Sequence, residues 1–350
     1  MNNKSLFMIA TSLLFGSSFS VYADAPVGVR PCCAFGTNLQ TEVGGIPVPF
    51  VSVENVLNVD DLGDHIYNDG SQSVASSLMG LGDESNGIFY SEKGGFLDSA
   101  HVRDTADFTY YLYTEFKAHL GTDYSITLSA ELKDRVIQLT ESKSNFTLEE
   151  KQKISVELAA LTAYRLAQWH EIAQWFGMES VGGFKELASA FSPEDLYSNM
   201  LGAKIASSVI AKDPSLSKDD FSKAMTKAIE AKFIELGVVS KEESKAQIES
   251  MDGVWWDSDK RLPNKWVVIH REYHLGTDLR PNGFKNGVEE SLSTEYEGLA
   301  TFKLMHNKND NAFNALPEAL RNKAYWTPSD FQTIADFAQA QDEKEQAKNK

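Results

Sequence analysis

Between Gly94 and Asp107 the chain reads GGFLDSAHVRDTAD, and Asp98, His101, Arg103 and Asp104 fall within two helical turns of one another. A histidine among carboxylates is equipment for general acid–base catalysis or for metal ligation, and an arginine beside them suits an anionic group. A second cluster, WHEIAQWFG (Trp169–Gly177), supplies His170 and Glu171. His170-Glu171-Ile172-Ala173-Gln174 has the outline of HExxH, in which two histidines ligate zinc and the glutamate is the base, but glutamine stands in the last place. The expected site joins His101, His170 and Glu171 as acid/base groups or as ligands of zinc or another divalent metal. Asp98 and Asp104 support them, Arg103 holds an anionic group, and His65 is an outlying fourth ligand. The competing reading is architectural: Asp98 is a helix cap, Arg103 and Asp107 form an i,i+4 ion pair, and His101 is a hydrogen-bonded core histidine.

Helices must position these groups. Asp98 is a good N-cap, Leu97 and Val102 have staple spacing, and Gly121 can end the helix, which predicts one over Ser99–Leu120. Its apolar residues form two adjacent stripes, so it is largely enclosed and His101 faces inward. As the third residue of the helix, His101 meets a dipole that favours neutral imidazole. Thr147-Leu148-Glu149-Glu150 is a capping box opening a long helix to Gly177, with small residues (Ala160, Ala163, Ala167) leading to His170. Ser192-Pro193 opens a third helix, carrying Tyr197, Ser198 and Asn199. Lys218–Leu236 and Lys241–Met251 read as solvated, Lys/Glu-rich helices. Val254–Trp256 and Lys265–Tyr273 alternate as a β-hairpin, Ser293–Met305 fits strand or helix, and Pro328–Ala340 is a terminal helix before a charged tail expected to fray.

Lys4, the apolar run Leu6–Phe15 and Val21-Tyr22-Ala23 make a cleavable export leader, giving a periplasmic or secreted protein. No later stretch is long and apolar enough to span a bilayer. A formal charge of −17 over 350 residues argues against nucleic acid and against anionic membrane surfaces. The two cysteines, Cys32 and Cys33, are neighbours. A disulfide prefers Cα atoms about 4.4–6.8 Å apart, whereas adjacent residues sit about 3.8 Å apart. Buried thiols, a strained vicinal bridge with a redox role, and an intermolecular bond all remain open. There is no nucleophile-elbow, P-loop or dinucleotide fingerprint.

The blocks RPCCAFG (Arg30–Gly36), IPVPF (Ile46–Phe50), LGDHIYNDG (Leu62–Gly70), ESNGIFY (Glu84–Tyr90), GGFLDSAHVRD (Gly94–Asp104), WHEIAQWFG and SPEDLYSNMLG (Ser192–Gly202) together resemble a family of exported Gram-negative bacterial proteins of unknown function. The resemblance covers most of the chain after the leader. It implies export and carries no reaction, fold or ligand.

The expected architecture is α+β and mainly α. A loop-rich region at 24–97 follows the leader at 1–23, a helical core spans 98–251, a hairpin and helix cover spans 252–340, and 341–350 is the tail. The expected function is a metal-assisted or acid/base hydrolase acting on a small-molecule or cell-envelope ligand. The rival is a non-enzymatic envelope protein whose buried polar network is structural.

Overall fold

The computed structural model describes residues 23–28, 30, 34–43, 46–53, 55–70, 84–142, 145–179 and 185–349. The leader up to residue 22 and the Cys32-Cys33 pair lie outside the described residues. The rest is α+β and mainly α, with strands confined to small sheets.

Three helices make the centre: α1 (Ser99–His119), α2 (Leu148–Trp175) and α3 (Asp195–Lys212) pack pairwise on one another. Each start has a local cause. Asp98 Oδ1 accepts the Ala100 N–H at 2.7 Å, and Gly121, at φ +86°, takes the chain out past the end of α1. The Thr147 box closes in both directions, with Glu150 Oε2 accepting the Thr147 N–H at 2.8 Å. The helix α3 begins two residues later than the Ser192-Pro193 signal suggests, because Pro193 and Glu194 form a turn ahead of it, closed by the Asp195 N–H donating to the Ser192 carbonyl.

Outside the trio, α4 (Lys218–Leu236) buries the stripe Phe221, Met225, Ile229, Phe233 and Leu236 and leaves its Lys/Glu face to solvent. The short α5 (Lys241–Glu249) starts at the capping box of Ser240. Strands β1 (Leu39–Val43) with β2 (Ile46–Val53), and β3 (Ile88–Ser91) with β4 (Gly95–Asp98), form two antiparallel pairs in the N-terminal region. The second pair runs straight into α1.

A four-stranded antiparallel sheet, absent from the sequence reading, combines β5 (Tyr124–Glu131) and β6 (Lys133–Leu139) with the later β9 (Ala300–Met305) and β10 (Tyr325–Trp326). Its charged residues hid it: Lys133 and Arg135 are both buried, their charges met by Asp310 at 2.7 Å and Glu131 at 3.0 Å. The remaining elements are the two-residue pair β7 (Asp278–Leu279) and β8 (Glu290–Ser291), and α6 (Glu318–Arg321).

Two expectations change in the C-terminal third. The hairpin at 254–273 is shorter than expected. One antiparallel bridge, Trp256 to Val268, is flanked by backbone bonds from the Asp257 N–H to Val267 and from the Ile269 and His270 N–H groups to Trp255, and past His270 the second segment turns to other partners. Arg271 reaches the Leu187 and Ala190 carbonyls, and the Glu272 N–H goes to the Phe191 carbonyl. The terminal helix α7 (Pro328–Asn349) continues through the stretch expected to fray. Buried Asp342 explains this: it accepts from Trp175 Nε1 at 3.1 Å and Tyr273 Oη at 2.6 Å, and Lys265 Nζ lies 2.7 Å from it.

Candidate functional site

The site is made where α1 and α3 cross. A Cβ on Gly202 would lie 2.2 Å from the Val102 carbonyl oxygen, so only glycine allows this approach. With the backbones so close, the first turn of each helix faces the other, and the Asp98 N–H donates to Ser198 Oγ at 2.9 Å. His101 and Thr105 on α1 thereby meet Asp195 and Asn199 on α3, and α2 contributes Glu171 from its last third.

His101 is the hub. Its Nε2 lies 3.3 Å from Asp195 Oδ1, and its Nδ1 lies 3.3 Å from Asn199 Oδ1 and 3.9 Å from Glu171 Oε1. Asn199 Oδ1 also accepts the Thr105 hydroxyl at 2.7 Å. One potential ligand atom from each of Asp98, His101 and Asp195 lies within 4.8 Å of the other two. Glu171 is oriented by the Phe191 N–H, which donates to Oε2 at 2.8 Å. Phe191 itself sits at φ +55°, in a turn pinned by Arg271.

Four carboxyl groups therefore crowd one enclosed space: Asp98, Glu171, Glu194 and Asp195 are each 1% exposed or less. Burial raises the pKa of Asp195 well above the usual carboxylate range, raises that of Glu171, and pushes Glu194 to about 8. Their mutual repulsion works in the same direction for Asp195 and Glu194. Among the described residues neither oxygen of Asp195 accepts a hydrogen bond, and Glu171 Oε1 and Glu194 Oε1 are likewise without a donor. Buried acceptors left this way are costly, so such a set needs protons or a cation.

The residues singled out in the sequence separate into three places. Asp98, His101 and Glu171 share the site just described. Arg103 and Asp104 point to another face of α1 and enter a network centred on Arg30. There Arg30 lies 2.6 Å from Glu84, 2.6 Å from Asp104 and 2.8 Å from Asp107. Asp107 also meets His65 Nε2 at 3.0 Å, so it is not the ion-pair partner of Arg103. Arg103 instead lies 3.8 Å from Glu84 and donates to the Ser85 and Leu62 carbonyls. His65, the outlying ligand, belongs wholly to this second cluster.

His170 goes to a third place, one residue from Glu171 but turned to another side of α2. Its Nδ1 is 3.3 Å from Glu131 Oε1, and its Nε2 is 3.1 Å from Gln174 Nε2. Burial alone would lower its pKa, but Glu131 outweighs that and holds it up at about 9. The ligand trio of His101, His170 and Glu171 is thus not assembled, since successive helical residues point about 100° apart. Asp195 and Asn199 were missed as site residues. Their i,i+4 spacing on the third helix, matching His101 and Thr105 on the first, was the available signal.

The chain belongs to the DUF4056 family, described as a protein of unknown function, whose model matches residues 20–285. The three-helix site lies entirely within the matched region. No curated protein and no solved structure matches the chain.

Proposed function

We propose that this family member is an exported hydrolase acting on a cell-envelope component, with its centre at His101, Asp98, Glu171 and Asp195. The observation that carries the reading is the arrangement around His101: one ring nitrogen 3.3 Å from a carboxylate to which no described residue donates, the other held by Asn199. Hydrolysis needs a group that takes a proton from water and another that returns one to the leaving group. His101 and Asp195 have the position for the first role. Glu194, with its carboxyl pushed up to about 8, retains a proton near neutral pH and fits the second. A cavity of about 290 Å3 opens beside the same turn of α3, lined by Pro193, Leu196 and Tyr197 with Glu272, His274 and Arg280, and offers polar groups to a substrate. Export rests on the leader pattern of residues 1–23, and the overall acidity directs the search away from nucleic acid.

The complete burial of the four carboxyl groups favours a second reading, in which the network only fixes helix packing. His101→Gln separates the two. Purified wild-type protein incubated with peptidoglycan and with lipopolysaccharide should release soluble fragments, and His101→Gln should not, while both unfold at similar urea concentrations. No release by wild type, together with a large loss of stability in His101→Gln, would replace the hydrolase with the architectural network.

A further inference from the structure

We propose that Asp98, His101 Nε2 and Asp195 are the protein ligands of one divalent first-row transition ion. The inference goes beyond the hydrolase reading and stands without it. With an ion bound, His101 Nε2 and Asp195 would hold the ion in place of acting as the base, and the ion would supply the activation of water.

The geometry argues first. Two ligands each about 2.0–2.2 Å from one ion, at tetrahedral to octahedral angles, lie roughly 3.0–3.5 Å apart. His101 Nε2 and Asp195 Oδ1 are 3.3 Å apart, and among the described residues no hydrogen bond satisfies Asp195. An oxygen of Asp98 completes a group whose members are all within 4.8 Å of one another. Among the described residues this is the one group of three or more such side chains that meets that spacing.

The hydrogen-bond network argues second. Asn199 Oδ1 takes the Thr105 hydroxyl at 2.7 Å and faces His101 Nδ1 at 3.3 Å, so the network assigns the ring proton to Nδ1. Nε2 then presents its lone pair toward Asp195 Oδ1 at 3.3 Å, so a proton or a cation must lie between them. A cation serves both groups at once. Histidine ligands ordinarily donate their other N–H to an oxygen that fixes the tautomer, and Asn199, with Glu171 Oε1 at 3.9 Å, occupies that position.

Charge argues third. Arg271 is the guanidinium that acts on Glu171 and Asp195, yet its own N–H groups go to the Ala190, Leu187 and Lys265 carbonyls. Among the described residues it donates no hydrogen bond to Asp195, whose two oxygens lack a donor, and a divalent ion supplies what these side chains lack. One imidazole with carboxylate oxygens suits manganese, iron or zinc better than calcium or copper(I). Three protein ligands leave room for water or substrate, as catalytic sites do.

The test is metal content. Full-length mature protein is stripped with chelator, reloaded separately with Mn2+ and Zn2+, desalted and analysed by mass spectrometry of the elements. Wild type should retain about one ion per chain, as three protein ligands to a single ion require. Asp195→Asn and His101→Gln should each retain roughly tenfold less or lower, and His170→Gln should retain it in full. Should a ligand variant fail to fold by circular dichroism, the visible spectrum of Co2+-loaded wild type decides. Bands of nitrogen and oxygen ligation support the site, whereas a thiolate charge-transfer band would move the ion to Cys32-Cys33 and overturn it. No ion in reloaded wild type, or full retention in both ligand variants, would also overturn it. Binding without turnover on envelope substrates would remove the hydrolase and leave the metal site.

Discussion

Helix α1 carries buried charge on two faces, and the two are built in opposite ways. On the Arg30 face, two arginines and His65 meet Glu84, Asp104 and Asp107, with the closest pairs 2.6 to 3.0 Å apart. Opposing charge holds Glu84 well below the usual carboxylate range, even though burial alone would raise it. On the His101 face, Glu171, Glu194 and Asp195 have oxygens without donors among the described residues, and burial drives all three pKa values upward. The first cluster meets its carboxylates with its own cations. The second, of the same burial, needs protons or a bound cation instead. The contrast teaches that buried charge is not by itself a sign of function, whereas buried charge left unmet is.

The largest expected effect comes from breaking the compensated face. Arg30→Met leaves buried Glu84 and Asp107 and half-buried Asp104 without their shared partner and should cost about 3–5 kcal/mol in urea denaturation. Asp195→Asn, in chelator at pH 8, should change stability by only about 1 kcal/mol, because it removes an unpaired charge. A loss in Asp195→Asn equal to that of Arg30→Met would make the two faces equivalent and the contrast false.

Next in size is the crossing that brings the His101 face together. Gly202→Ala forces a Cβ against the Val102 carbonyl and should cost about 1–3 kcal/mol, with weaker metal retention because α1 and α3 move apart. Unchanged stability and retention would mean that the close approach is not what sets the site.

The pH dependence should divide between the faces. Glu84 has a folded pKa below its unfolded value near 4, so its contribution is present above that value and is lost as pH falls through the folded one. Glu194 is the reverse: its folded value of about 8 favours the protonated form, so stability is full below about 4 and declines as pH rises toward 8. Melting of chelator-treated protein should therefore weaken on both the acid and the alkaline side. Glu194→Gln should flatten the alkaline limb alone, and an unchanged limb in that variant would contradict the assignment.

The smallest effect belongs to the third cluster. Its imidazole, His170, should titrate by NMR near pH 9 and contribute stability that is present below its ordinary value of about 6.5 and lost as pH rises through 9. Glu131→Gln should bring the midpoint down, and a midpoint that stays put would show that Glu131 is not its cause.

Much of this was legible in the sequence where the cause is local. Asp98, Thr147 and Ser240 announce their helices because capping acts over three or four residues. The inward face of His101 followed from the apolar stripes beside it. The Arg30 cluster was not legible, since its three carboxylates lie 54 to 77 residues from Arg30 with nothing periodic to join them. Asp195 was hidden by its place: an acid in the first turn of a helix is ordinary, and only the Gly202 crossing turns it toward His101. His170 misled because HExxH is a pattern of neighbours, whereas a site here needs side chains from three helices. The sheet of β5, β6, β9 and β10 was lost because its central strand begins Lys-Asp-Arg, a pattern that reads as exposed until Asp310 and Glu131 are in place.

The most direct test of the central claim is anomalous diffraction from crystals of the protein loaded with Mn2+. The account predicts a single strong anomalous peak about 2 Å from an oxygen of Asp98, from His101 Nε2 and from Asp195. A peak at His170 and Glu131, or none at a fully reloaded site, would contradict it and return the His101 face to architecture.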